Sequence, residues 1–182
     1  MAGIDHGSGE RRKFCAVNNL ALMARFNQWV NGHFYDSVAT LSDADYRRDR
    51  KAFFGSIHNT LNHLLVVDRL WIGRISGIDS GISSLKDIPF DEFEPLRAAR
   101  RREDEGLIDL VDGIGEERMT SPVVYTRILG DGEQRTRLDH ILITLYNHQT
   151  HHRGQVHAML TQAGVTPPDI DVIYFLEDLG LS

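Results

Sequence analysis

The chain has 182 residues, 41% hydrophobic and 25% charged, which suits one domain with a full-sized core. Its net charge of −6 argues against nucleic acid as a partner, because a phosphate-binding surface shows as a basic excess. Cys15 is the sole cysteine, which excludes an internal disulfide framework and a multi-cysteine metal site and leaves histidine and carboxylates as the available ligands.

Residues 1–13 mix Gly, Ser and charge without an apolar period, so they read as a loose tail ahead of a single domain over 14–182. No charged-then-apolar leader opens the sequence and no apolar run approaches the ~20 residues of a membrane span, so a cytoplasmic protein without a membrane partner is expected. From Phe14 to Thr40, Leu20, Met23, Ala24, Val30, Phe34 and Val38 recur at helical spacing and predict a long first helix. Ser42 is placed to cap a short turn, and the charged run Arg47–Lys51 reads as a solvated connector. Ser56 caps a second helix that runs to Gly77 and is apolar nearly all round. His58, Asn62, Arg69 and Gly73 share its one narrow polar strip, expected to face solvent, whereas His63 lies on the opposite flank between Val67 and Leu70.

The Gly- and Ser-rich stretch from Gly77 to Pro89 is a loop. A third helix is expected from Glu94 to Glu117, with a charge-dense first half from Arg97 to Glu105 and one broadly exposed face. Val123–Leu129, a Gly130-Asp131-Gly132 turn and Gln134–Arg137 predict a small hairpin. The last long helix, 138–162, buries Leu138, Ile141, Leu142, Leu145, Val156, Met159 and Leu160 on one stripe. Pro167-Pro168 breaks the chain before a closing helix, 170–179, that should pack Ile173, Tyr174 and Leu176. The sum is an all-α protein, a four-helix up-and-down bundle with a small hairpin before its last long helix and a short C-terminal helix.

His148 and His152 fall inside the apolar stripe of the last long helix, one turn apart. Imidazoles on such a face carry a desolvation cost unless each ring nitrogen finds a partner. One partner is a divalent metal held by three histidines, His63, His148 and His152, on facing helices; the bland alternative is a set of core histidines hydrogen-bonded to Asn147, Gln155 or backbone. His151 points away from the stripe, and His6, His33, His140 and His157 read as surface or boundary residues. Gln155 is placed to reach a ligand ring. Asp68, on the most apolar face of the second helix, either bonds another helix or orients a site residue.

The runs ARFNQW (Ala24–Trp29), FFGSIHNTLNHLLVVDRLW (Phe53–Trp71), NHQTHHRGQVHAML (Asn147–Leu160) and PPDIDVIYFLEDLG (Pro167–Gly180) together resemble the damage-inducible DinB family of four-helix metalloproteins, over nearly the whole chain from Phe14. In that family a histidine of the second helix and an HxxxH pair in the last long helix bind a divalent metal, positions matched here by His63, His148 and His152. The resemblance implies a DinB/YfiT-like bundle, a homodimer, nickel or zinc as the metal, and open metal positions. Related branches include thiol-dependent transferases and a mycothiol-dependent maleylpyruvate isomerase. The unusual apolarity of the second helix, too great for two neighbours to cover, points to a dimer as well.

Three functions follow as expectations. The first is an enzyme, a thiol transferase or hydrolase in which a three-histidine metal generates a nucleophile from water or a low-molecular-weight thiol. The second is a non-catalytic metal-binding or stress-response protein, and the third a metal-free bundle with a satisfied histidine core. No Ser-His-Asp order, phosphate-cradling glycine loop or aromatic-basic patch supports another chemistry.

Overall fold

The computed structural model describes residues 8–128, 130 and 132–181, with side chains from Asn19 onward. In chain order its elements are α1 (Ser8–Val38), α2 (Asp43–Arg47), α3 (Ile57–Ser76), α4 (Phe93–Asp112), α5 (Glu116–Thr120), β1 (Pro122–Thr126), β2 (Glu133–Arg137), α6 (Leu138–Gln162) and α7 (Val172–Asp178). The four long helices α1, α3, α4 and α6 form the bundle: α1 and α3 each pack against both α4 and α6 and so occupy opposite corners. This is the mostly helical architecture with a small hairpin that the periodicities predict. No helix among the described residues is long and apolar enough to cross a membrane.

Residues 1–7 of the expected tail lie outside the described residues, and α1 starts at Ser8, ahead of Phe14. Ser42 caps α2 by accepting the amide of Asp45, and Ser56 caps α3 by accepting that of Asn59. Gly77 closes α3 in the left-handed region, φ 70°, with its amide on the Gly73 carbonyl. β1 and β2 pair antiparallel with Val124 opposite Arg135, and turn positions 129 and 131 lie outside the described residues.

Three expectations need correction. The polar strip of α3 is not solvent-facing. His58 is 6% exposed and Asn62 0%, because the segment 78–92 folds back over the strip. Asn62 accepts the Phe90 amide and donates to the Phe90 carbonyl, which also bonds His58 Nε2. Gly73 completes that seam, since a Cβ there would lie 2.7 Å from the Ile78 carbonyl oxygen.

The third helix stops at Asp112 rather than Glu117, because the Gly113-Ile114-Gly115 break caps it and a separate short turn, α5, restarts at Glu116. One face of the third helix is broadly exposed, as expected, and carries Arg101, Arg102 and Glu105, while Arg100 and Asp104 turn inward and are each 2% exposed. On α7 the packed residue is Phe175, against Phe26 and Trp29 of α1, while Ile173 and Tyr174 are 50% and 41% exposed.

Arg100 and Asp104 belong to a buried polar layer that joins all four long helices. Arg100 pairs with Asp68 at 2.7 Å and Asp104 at 3.0 Å, Gln149 donates to Asp68, and Asn31 donates to Asp104. Arg153 closes the circuit by donating to the side chains of Asn27 and Asn31. On α3, α4 and α6 these residues fall between two apolar clusters, one around Phe34, Leu61, Leu96 and Met159 and the other around Leu107, Leu142 and Ile75. Asp68 therefore bonds two neighbouring helices, through Arg100 and Gln149. Burial raises its carboxyl above the usual range and pushes that of Asp104 up to about 6, against the pull of Arg100.

Candidate metal centre

His63 comes from α3, and His148 and His152 come from successive turns of α6, the helix packed against it. Their ring centroids lie 5.0 Å (His63 to His148), 4.8 Å (His63 to His152) and 4.5 Å (His148 to His152) apart. One nitrogen from each ring falls within 4.8 Å of the other two. The structure thus brings together the three histidines singled out by spacing. His151, His140 and His58 are not part of the group.

The hydrogen bonds fix where two of the lone pairs point. His63 Nδ1 lies 2.7 Å from the carbonyl oxygen of Leu85, which can only accept, so in the neutral ring Nδ1 carries the proton and Nε2 the lone pair. His152 Nδ1 lies 2.9 Å from Gln155 Oε1, and Gln155 Nε2 lies 3.2 Å from His151 Nε2, so the amide holds His152 in the same tautomer while His151 anchors the amide. His148 Nε2 faces His63 Nε2 at 3.1 Å. Two donors on one ion with bonds near 2.0–2.1 Å sit roughly 2.9–3.4 Å apart, so this spacing suits adjacent ligands on a single metal.

Desolvation lowers His63 to about 4 despite its carbonyl bond. It lowers His148 to about 3, helped by His152 and His63, and it lowers His152 as well. All three rings are therefore neutral near pH 7, the form that binds metal. An acceptor-fixed pair of rings with converging lone pairs fits a cation, and the donor set of three imidazoles suits a borderline ion such as zinc or nickel.

Phe54 stacks on His63 at 4.0 Å and sits 5.4 Å from His152, shielding one side. On another side His63 and His148 form one end of a cavity of about 300 Å³. A set of three donors reached from a cavity leaves room for a fourth ligand on any ion held there. The sequence reading missed Phe54 and the Leu85 carbonyl. A backbone carbonyl on a loop leaves no trace in side-chain periodicity, and only the surplus of loop length between α3 and α4 hinted at it.

The chain is similar to known proteins over most of its length. Protein DinB of Bacillus subtilis (strain 168) is 26% identical over 162 residues, covering 83% of this chain and 91% of its own length. The crystal structure of a DinB-like protein from Bacillus cereus ATCC 10987 superposes with a TM-score of 0.60 at 18% identity, over 78% of this chain and 90% of that one. The family model described as the DinB family matches residues 16–178, and the chain belongs to that family.

Proposed function

We propose that the protein holds one divalent transition-metal ion per chain, zinc or nickel, on His63, His148 and His152, and uses it in a thiol-transfer or hydrolytic reaction on a small molecule. The observation that carries this reading is the convergence of three neutral imidazoles at the end of an open cavity. A metal held by three uncharged ligands keeps its charge and lowers the pKa of a water or thiol that joins it. The chain's own contribution is positional. The Leu85 carbonyl and Gln155 lock two rings in the tautomer that presents Nε2, and Phe54 keeps water off one flank.

The reading includes a cytoplasmic location and a homodimer, which light scattering at low micromolar concentration tests: a monomer mass removes the dimer. Its support is the family alone, since α3 is covered within its own chain by α4, α6, α2 and β1. The functional test is spectroscopic. Addition of 2-mercaptoethanol to the cobalt-substituted protein should give a sulfur-to-cobalt charge-transfer band. A spectrum unchanged at millimolar thiol, with no exchange of solvent at the ion, contradicts the enzyme and leaves a protein that stores or senses metal.

A further inference from the structure

We propose that the cavity beside the three histidines selects ligands with a carboxylate at the end of an apolar body, and that Arg74 is the group that binds this carboxylate. The thiol at the ligand's other end rests on the metal reading above; the carboxylate does not.

The cavity is walled by Val67 and Leu70 next to the histidines and by Trp71, Arg74 and Tyr125 beyond them, with Arg127 also on its lining. Among the described residues no aspartate or glutamate lines it, although the chain holds 26 acidic residues against 20 Lys and Arg. Arg74 is clamped. Its guanidinium carbon lies 4.8 Å from the Trp71 ring centroid and 4.6 Å from that of Tyr125, and Nη2 donates to the Thr126 carbonyl at 2.6 Å.

Arg25, Arg47, Arg69, Arg97, Arg100 and Arg137 each meet a carboxylate. Among the described residues Arg74 meets none, and its remaining N–H groups have no protein acceptor. A guanidinium is a planar fork that matches a carboxylate through two parallel N–H bonds, and one held between aromatic rings loses little freedom on binding. Burial lowers the pKa of Arg74, the direction expected of a cation held without a counter-charge.

The spacing sets the ligand's length. From His63 to Arg74 the helix rises about 16 Å, and an arginine side chain, which leans toward the helix N-terminus, takes up roughly 6 Å of that. A reacting group at the histidines and a carboxylate at Arg74 are thus separated by about 10 Å, close to the length of an extended six-carbon thiol acid.

The test titrates the cobalt-loaded protein with 6-mercaptohexanoate and with neutral 6-mercaptohexan-1-ol, reading the charge-transfer band and the fluorescence of Trp71 in a Trp29→Phe background. The acid should bind at least tenfold more tightly than the alcohol. That advantage should shrink to less than threefold in Arg74→Gln, with metal content unchanged. Arg127→Gln, on an exposed side chain, should reduce it less and keeps the comparison open if Arg74→Gln does not fold. Equal affinities in the parent protein, or a full carboxylate advantage in Arg74→Gln, overturn the proposal and leave the metal reading standing. An acid preference seen in fluorescence without any charge-transfer band supports the carboxylate site and overturns the thiol reading. No binding of either compound overturns both.

Discussion

At the residue scale, the behaviour of the three histidines is set by what holds the far side of each ring. Gln155 accepts from His152 Nδ1 and is itself braced by His151, so Gln155→Leu should weaken metal binding by roughly 10–100-fold without unfolding the chain. Competition titration against a chromophoric chelator measures this, and an unchanged affinity removes Gln155 from the site. The pH dependence follows from burial. His63 and His148 are lowered in the folded protein to about 4 and about 3 from an ordinary value of 6.5. Between those limits the unfolded chain binds more protons than the folded one, so stability is full above pH 6.5 and falls as pH drops toward 4. Chemical denaturation of the metal-free protein at a series of pH values should show that slope, and His148→Phe should flatten it.

At the element scale, the segment 78–92 acts as a strap across α3 that also carries the Leu85 carbonyl to His63. Asn62 fastens it by bonding both the amide and the carbonyl of Phe90. Asn62→Ala leaves the Phe90 amide unpaired and its carbonyl to His58 alone, and should cost about 1–3 kcal/mol. Hydrogen exchange at the Phe90 amide should accelerate in that variant while the α6 amides stay protected. The strap also explains which parts of the fold the sequence disclosed. Apolar periodicity marked the long helices and the stripe holding His148 and His152, because burial against a neighbouring helix repeats every three to four residues. It misplaced His58 and Asn62, since a strip covered by loop backbone needs polar side chains and looks the same as one facing water. Arg100 and Asp104 were hidden for a related reason: a pair of opposite charges at i and i+4 is the mark of a solvated face unless its partners, Asp68 and Asn31, are known to sit opposite. Phe175 was overlooked because seven residues of α7 are too short a span for periodicity to fix the buried side.

At the scale of the whole molecule, the polar layer of Asp68, Arg100, Asp104, Asn27, Asn31, Gln149 and Arg153 ties the four long helices beside the three-histidine cluster, with Gln149 next in sequence to His148. Arg100→Met strands two buried carboxylates and should destabilise by roughly 3–5 kcal/mol, whereas adding Asp68→Asn and Asp104→Asn should recover part of that loss. Urea melts of the single and triple variants compare the two; a triple variant no better than the single one means that the layer is not an ionic unit. The central claim is that His63, His148 and His152 together hold one metal ion. Elemental analysis of untagged protein measures it most directly, across the parent chain, the three single alanine variants and His58→Ala. The account predicts about one zinc or nickel per chain in the parent and in His58→Ala, and a sharp loss in each of the other three. Full metal retention in a folded His63→Ala variant, or a parent protein that binds no metal when supplied with it, contradicts the claim.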